Sequence, residues 1–442
     1  MSTLREQGSL SPPPLKKRKF ESTTTSKAVA SFFTPTSKKD PDKIVWRVIN
    51  RSLLLARYSP CTETIGPTVK RRKIAAFDLD STLIQTTSGN IFAKDHTDWR
   101  WWHLSIPNVI KQLYTDGYAL VVVTNQGSIS LKDNPKTLKS DQRSLAAFKL
   151  KITAVFNHFD FPVLLLAACA QDGYRKPRTG MWDEVLEELD LNEGGGPDMQ
   201  ASFFVGDAGG RAARNGAKAD HACSDRDFAA NVGIEFKTPE EYFLHEEPLP
   251  FTRTFEPAAL LSAASTTSTN TTSIIIEKKN SLDIILLCGS PGSGKSTFYW
   301  TKLKPLGYER INQDTLKTRD KCLKVASNLL AEKKLVAIDN TNADPETRAV
   351  WVQLAQKIGI PIRCVHFTAS TKLCEHNDTV RALSTSYFNP EKRTILPHSA
   401  FVSFAARFKE PKPNEGFQDI VTVEFQFQGN DEQRQTWTKY WI

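Results

Sequence analysis

The sequence predicts an α/β fold built as two successive parallel-sheet units, and three observations carry that expectation. Between residues 44 and 248, short apolar runs alternate with longer helical stretches, the pattern of strands joined by crossovers. Residues 249–282 change character, Ser262–Ser273 being almost wholly Ser, Thr, Ala and Asn, as in a linker. Across 283–442 a second alternation opens on Ile284-Ile-Leu-Leu287, a buried-type strand that runs into a glycine-rich loop.

A length of 442 residues allows two or three domains with real cores. The 40% hydrophobic and 24% charged content is that of a soluble globular chain, with no apolar run long enough to span a bilayer and no apolar leader. The seven cysteines include no C-x-x-C pair, which argues against a zinc site or a disulfide framework and fits a reducing compartment. The net charge of +9 permits a polyanionic partner without requiring one.

Residues 1–43, rich in Ser, Thr, Pro and Lys, read as a disordered basic tail. Within it Pro12-Pro-Pro-Leu-Lys-Lys-Arg-Lys19 has the form of a nuclear-import signal, which favours the nucleus over an ordinary solvated basic run. Ser26-Lys-Ala-Val29-Ala-Ser-Phe32-Phe33 resembles the motif that docks on the sliding clamp of replication, with Ser26 in place of the usual glutamine. Clamp or other repair proteins are the partners that motif implies.

In the first unit, Lys73–Phe77, Ala119–Thr124, Pro162–Ala168 and Ser202–Val205 read as strands and Ser144–Asn157 as a helix. Asp78 and Asp80 follow the first strand, at the end of a parallel sheet where ligands bind. Two carboxylates at that spacing suit a displacement at phosphorus. Asp78 attacks as the nucleophile, and Asp80 protonates the leaving oxygen and then activates water. Taken alone, the pair also fits a turn with two solvated aspartates. An anionic nucleophile meeting a phosphate needs a cation, and Mg²⁺ held by Asp78, Asp80 and Asp207 supplies it. Thr124 and the following amides suit phosphate oxygens, while Arg175 and Lys176 offer positive charge to the transition state. In that order these stretches resemble the haloacid dehalogenase superfamily.

In the second unit, Gly289-Ser290-Pro291-Gly292-Ser293-Gly294-Lys295-Ser296 is a full G-x-x-x-x-G-K-[ST] phosphate-binding loop, followed by Thr297. Its glycines let backbone N–H groups face the phosphates; Lys295 reaches the β- and γ-phosphates and Ser296 holds Mg²⁺. The loop predicts ATP or GTP but does not separate a kinase from a motor ATPase or a GTPase. Asp314 can act as general base on an acceptor hydroxyl, its competing role being a helix cap. Asp339-Asn-Thr-Asn342 is placed to reach metal or acceptor, and Arg381 is either a lid arginine clamping the transferred phosphate or a surface charge. Val336–Ile338 and Ile362–Phe367 supply further strands.

Together the stretches Phe77–Ile84, Val123–Gly127, Tyr174–Trp182, Phe204–Arg211, Cys223–Ala229 and Thr238–Glu241 resemble the eukaryotic polynucleotide kinase 3′-phosphatases. The resemblance continues through the phosphate-binding loop, Asn312–Leu316, Asp339–Asn342, Arg363-Cys364 and Glu415–Phe417, from about Arg47 to Glu424. It implies a haloacid-dehalogenase-like phosphatase domain at 44–248 and a P-loop 5′-kinase domain at 283–442. It implies that Asp225 supports the Mg²⁺ site and that ATP is the phosphoryl donor. It also implies a DNA end-processing enzyme of strand-break and base excision repair. Animal members open with a phosphopeptide-binding forkhead-associated domain, for which 43 residues are too few, so the form expected is fungal-like. Ser81 and Lys317 stand where the family often has glycine. Of Trp99, Trp101 and Trp102, at least two are expected in the core, leaving one free to stack on an unpaired base. An RNA-end healer is the nearest alternative, since 2′-hydroxyl contacts are not legible in sequence. An idle end-binding scaffold, or a metabolite phosphatase fused to an unrelated ATPase, stands further off. A monomer is expected.

Overall fold

The computed structural model describes residues 43–60, 70–213, 219–261, 276–384 and 388–442. The import-type and clamp-type motifs and the Ser262–Ser273 stretch lie outside the described residues.

Among the described residues, nine strands precede the linker: β1 Ile44–Ile49, β2 Leu53–Tyr58, β3 Lys73–Phe77, β4 Ile84–Gln85, β5 Arg100–Trp101, β6 Tyr118–Asn125, β7 Val163–Ala168, β8 Phe203–Val205 and β9 Glu235–Lys237. Seven form one sheet in the order β1-β2-β7-β6-β3-β8-β9. From β7 to β9 every neighbouring pair is parallel, with β3 central. Both faces of the parallel part are covered, which is why its strands read as continuous apolar runs. Odd and even positions still separate: Ala75, Phe77, Leu120, Val122 and Leu165 join one core cluster. Their neighbours Ile74, Ala76, Val121, Val123 and Leu164 join a second, with Met181, Trp182, Val185 and Phe228 from helices Gly180–Glu188 and Ser224–Val232.

The sheet departs from the all-parallel expectation at one edge, where β1 and β2 form an antiparallel hairpin added to β7. Asn50 and Arg51 turn it with φ of 50° and 54°, and Ser52 N–H donates to the Ile49 carbonyl at 3.1 Å, as a tight hairpin requires.

The second sheet holds β10 Ile284–Cys288, β11 Tyr308–Ile311, β12 Leu335–Asp339, β13 Ile362–Phe367 and β14 Ile420–Val423, all parallel, in the order β11-β12-β10-β13-β14. β10 is buried along its whole length and delivers the glycine-rich loop at its C-terminal end. Beneath this sheet lies Arg348, fully buried. Its guanidinium donates twice to Glu415, at 2.7 Å each, and to the carbonyls of Asn342, Ala343 and Lys409. Such a charge is tolerable in a core because all three guanidinium nitrogens are hydrogen-bonded, two of them to one carboxylate. Both sheets belong to one compact unit, Ile44–Ile442.

Candidate active sites

β3 ends one residue before Asp78, whose backbone N–H donates to the Val205 carbonyl at 2.8 Å, locking the loop onto β8. The Asp78 carboxylate is buried and takes a 2.7 Å bond from Lys176 Nζ. The same ammonium is 2.8 Å from Asp225 and donates to the Val123 carbonyl at 2.9 Å, so its three protons are all engaged. Asp78, Asp207 and Asp225 each bring a carboxylate oxygen within 4.8 Å of the others. Burial pushes Asp78 up to about 7, opposed by Lys176 and reinforced by Asp225. Burial, then Asp78 and Asp225, push Asp207 up to about 8. One lysine cannot neutralise three carboxylates in so dry a place, and oxygen-only donors of this kind suit a hard divalent cation such as Mg²⁺. Gly206 makes the cluster possible, since a Cβ there would stand 2.3 Å from Asp225 Oδ2.

Asp80 lies apart from that carboxylate group. Its side chain is half exposed and accepts from Gln126 Nε2 at 2.7 Å and Lys151 Nζ at 3.0 Å. It is thus open to solvent where Asp78 is buried. Thr124 is buried at the end of β6, its hydroxyl accepting from Gln126 at 3.1 Å. Arg175 packs against Gly127, and its Nη1 is buried without a hydrogen-bond partner, suited to an incoming anion. Lys151, on helix Leu138–Phe156, was not anticipated from sequence: it reaches Asp80 across 71 positions and belongs to no motif. Ser81 has φ of 61°, a left-handed backbone that glycine adopts at least cost, and its N–H is tied to the Ile84 carbonyl at 2.7 Å.

Trp99, Trp101 and Trp102 pack against the first core cluster. They also line a shallow pocket of about 560 Å³ with Arg100 and His158, so core packing and an open aromatic face coexist.

In the second unit, Lys295 Nζ donates to the carbonyls of Gly289 and Ser290 at 2.9 and 2.6 Å, which holds it over the loop. Burial lowers this ammonium to about 8. Gly292 has φ of 75°, and a Cβ there would meet the Cys374 carbonyl at 2.2 Å, so only glycine fits. Ser296 donates to Asp339 at 2.9 Å, the hydroxyl–carboxylate pair that would hold Mg²⁺ beside the phosphates. Arg310, unanticipated, bridges the same pair, 2.6 Å from Asp339 and 3.1 Å from Ser296, and pairs with Glu391 at 2.9 Å.

Asn312, rather than Asp314, caps the short helix Gln313–Leu316, accepting from Thr315 N–H at 3.2 Å. Asp314 is thus released from capping; it is exposed, 3.5 Å from Arg393. Lys317 closes that helix with φ of 73°, a backbone that glycine adopts at least cost. Arg381 is paired with Asp378, and its Nε is buried without a partner. Gly292–Thr297, Asp314, Asn340, Arg381, Arg393 and Phe425 all line one cavity of about 1900 Å³, room for a nucleotide and an acceptor end together.

Residues 73–243 match the family described as polynucleotide kinase 3 phosphatase, and residues 284–411 match an AAA domain family. A bifunctional polynucleotide phosphatase/kinase from Schizosaccharomyces pombe is 38% identical over 90% of this chain and 88% of its own length. The chain belongs to the bifunctional polynucleotide phosphatase/kinase family. A putative member from Acanthamoeba polyphaga mimivirus is 32% identical over 80% of this chain and 85% of its own. The Arabidopsis thaliana polynucleotide 3′-phosphatase ZDP matches 41% of the chain at 35% identity, covering 25% of its own length. In this bifunctional phosphatase/kinase, Asp78, Lys176, Asp207 and Asp225 fall inside the phosphatase match, and Lys295, Asp314, Asp339 and Arg381 inside the AAA match. The β1–β2 hairpin and the C-terminal residues from 412 on lie outside both.

Proposed function

We propose that this phosphatase/kinase repairs broken DNA ends, removing 3′-phosphates at the Asp78 site and phosphorylating 5′-hydroxyls at the Lys295 site. The observation that carries the reading is the pairing, in one chain, of the Asp78–Lys176–Asp225 ion cluster with a complete phosphate-binding loop.

At the first site an Asp78 oxygen attacks phosphorus, and the bond to the 3′-oxygen breaks. Asp80 donates its proton to that oxygen, releasing a 3′-hydroxyl and leaving an aspartyl-phosphate. Asp80, now a carboxylate, takes a proton from water as the water oxygen attacks phosphorus, which frees inorganic phosphate and Asp78. Lys176 keeps Asp78 aligned and offsets charge on the equatorial oxygens, with Thr124 and Arg175 gripping the phosphate. Asp78, Asp207 and Asp225 would hold Mg²⁺, which would supply neutralising charge to the phosphate. At the second site Asp314 takes the proton of the 5′-hydroxyl as that oxygen attacks the ATP γ-phosphorus and ADP leaves; Lys295 and Arg381 hold the transferred group.

The deciding assay uses a gapped DNA duplex with a 3′-phosphate and a 5′-hydroxyl, and the same ends on RNA. Wild type converts both DNA ends; Asp78→Ala loses only dephosphorylation and Lys295→Ala loses only phosphorylation. Processing of RNA but not DNA would move the function to RNA healing, and silence on both would favour a scaffold. We further infer that residues 12–19 direct nuclear import, tested by whether that segment carries a fluorescent reporter into nuclei.

A further inference from the structure

The last residues of the chain run from one catalytic loop to the other. Helix Asp431–Trp437 ends at Trp437, whose indole Nε1–H donates to Asn377 Oδ1 at 2.8 Å. Asn377 Nδ2 in turn donates to the carbonyl of Gly292, inside the phosphate-binding loop, at 3.2 Å. The Trp437 carbonyl accepts from His376 Nε2 at 2.8 Å, which fixes the helix end to helix Thr371–Leu383. Three residues further on, the chain meets the phosphatase unit. Tyr440 N–H donates to Asn231 Oδ1 at 2.9 Å, and Asn231 Nδ2 donates back to the Tyr440 carbonyl at 2.7 Å. The same Nδ2 donates at 2.9 Å to the carbonyl of Pro177, the residue after Lys176. Arg178 Nε donates to the Trp441 carbonyl at 3.1 Å, and its Nη1 to the Asp172 carbonyl at 2.8 Å.

Side chains seal this junction. The Tyr440 hydroxyl donates to Glu256 at 3.0 Å, and its ring lies under the Arg253 guanidinium, 4.5 Å from the centroid. Arg253 reaches on to Asp227, two residues from Asp225, at 2.6 Å. The Trp441 indole folds back to the Thr436 carbonyl at 2.9 Å. Hydrogen bonds at both ends of the 437–440 backbone therefore join the Gly292 carbonyl to the backbone carrying Lys176.

We propose that residues 437–441 form a strap coupling the two catalytic centres, with Asn231 as a positioning residue that holds the Lys176 loop through the Pro177 carbonyl. The proposal rests on the assignment of the Asp78 and Lys295 sites made above. Asn231 does not touch substrate; it acts through where it keeps Lys176. Nucleotide binding at the phosphate-binding loop is passed through Asn377 and the strap to the phosphatase. Coupling of this kind is reciprocal for binding, so a 3′-phosphate analogue bound at Asp78 tightens nucleotide binding.

The test uses the full chain and three variants: Asn231→Ala, Asn231→Asp and a chain ending at Lys439. Asn231→Asp keeps the acceptor for Tyr440 N–H but loses both donors, so a space-filling role would leave it like wild type. Positioning makes both substitutions lower the phosphatase kcat on a 3′-phosphate oligonucleotide about tenfold, with KM unchanged. In wild type, a saturating nonhydrolysable ATP analogue with Mg²⁺ raises that kcat about fivefold; in the chain ending at Lys439 it does not. Wild-type kcat in Asn231→Asp, or an analogue effect absent from wild type, overturns the proposal. Asp78→Asn runs alongside: if it keeps phosphatase activity the site assignment fails, whereas a dead Asp78→Asn beside a normal Asn231→Ala sinks the strap alone. Thermal unfolding of each variant identifies any that fail to fold, and the shortened chain, which leaves Asn231 in place, then carries the decision.

Discussion

Replacing Lys176 with methionine keeps most of the side-chain volume and removes the one ammonium that faces both Asp78 and Asp225. At 2.7 and 2.8 Å, each pair has a gross attraction of about 6 kcal/mol at an effective dielectric of 20. Desolvation of three buried ions offsets most of that, so the net cost of deletion is about 3–5 kcal/mol, the range for stranding a buried charge. The cost depends on pH with a definite sign. Asp78 and Asp207 sit at about 7 and 8, above the ordinary carboxylate value. Groups raised in this way favour the fold while protonated and lose that contribution as pH rises through their folded values. Without Lys176 they move higher still, so the variant is nearer wild type at pH 5.5 and falls furthest behind at pH 8.5. Calorimetric unfolding in EDTA across that range measures it, and Mg²⁺ shrinks the deficit by replacing the lost positive charge. Phosphatase kcat falls about 10²–10³-fold, as for loss of a transition-state charge partner, while kinase activity stays intact. Phosphatase activity within tenfold of wild type, or a deficit that grows towards low pH, would refute the reasoning.

Three further outcomes follow from the geometry. His376 is fully buried and burial lowers it to about 4, so its contribution to stability is complete above pH 6.5 and fades as pH falls towards 4, about 3 kcal/mol in all; His376→Gln should flatten that limb of the pH–stability curve. Gly292→Ala drives a methyl into the Cys374 carbonyl and should abolish ATP binding by calorimetry, while 3′-dephosphorylation measured without nucleotide continues. Arg310→Ala strands the buried Asp339 and should cost about 3 kcal/mol in metal-free unfolding, a loss that added Mg²⁺ reverses.

The strands bearing chemistry were legible because each couples an apolar run to a polar residue at its C-terminal end: Asp78 after β3, Thr124 in β6, Asp207 after β8 and the glycine-rich loop after β10. The β1–β2 hairpin escaped notice because its turn is Asn50-Arg51, with no glycine to announce two positive φ angles. Local pattern cannot reveal Lys151 at Asp80 or Arg310 at Asp339, since those contacts span 71 and 29 positions and are made by the tertiary fold alone. Asp225 showed in the sequence only as a supporting residue through resemblance; the structure puts its carboxylate beside those of Asp78 and Asp207. Ser81 and Lys317 both have positive φ, a backbone that favours glycine, and nothing in the structure explains why this chain has serine and lysine there.

The fully buried Arg348 sets where this protein can be cut. Its two strongest partners are the oxygens of Glu415, and Glu415 lies beyond the AAA match, which ends at residue 411. A kinase fragment trimmed to that boundary would carry a guanidinium sealed in its core with no carboxylate to meet it, and would also lack β14, the edge strand. Minimal versions of the second unit must therefore run past Val423, twelve residues beyond the end of the matched stretch.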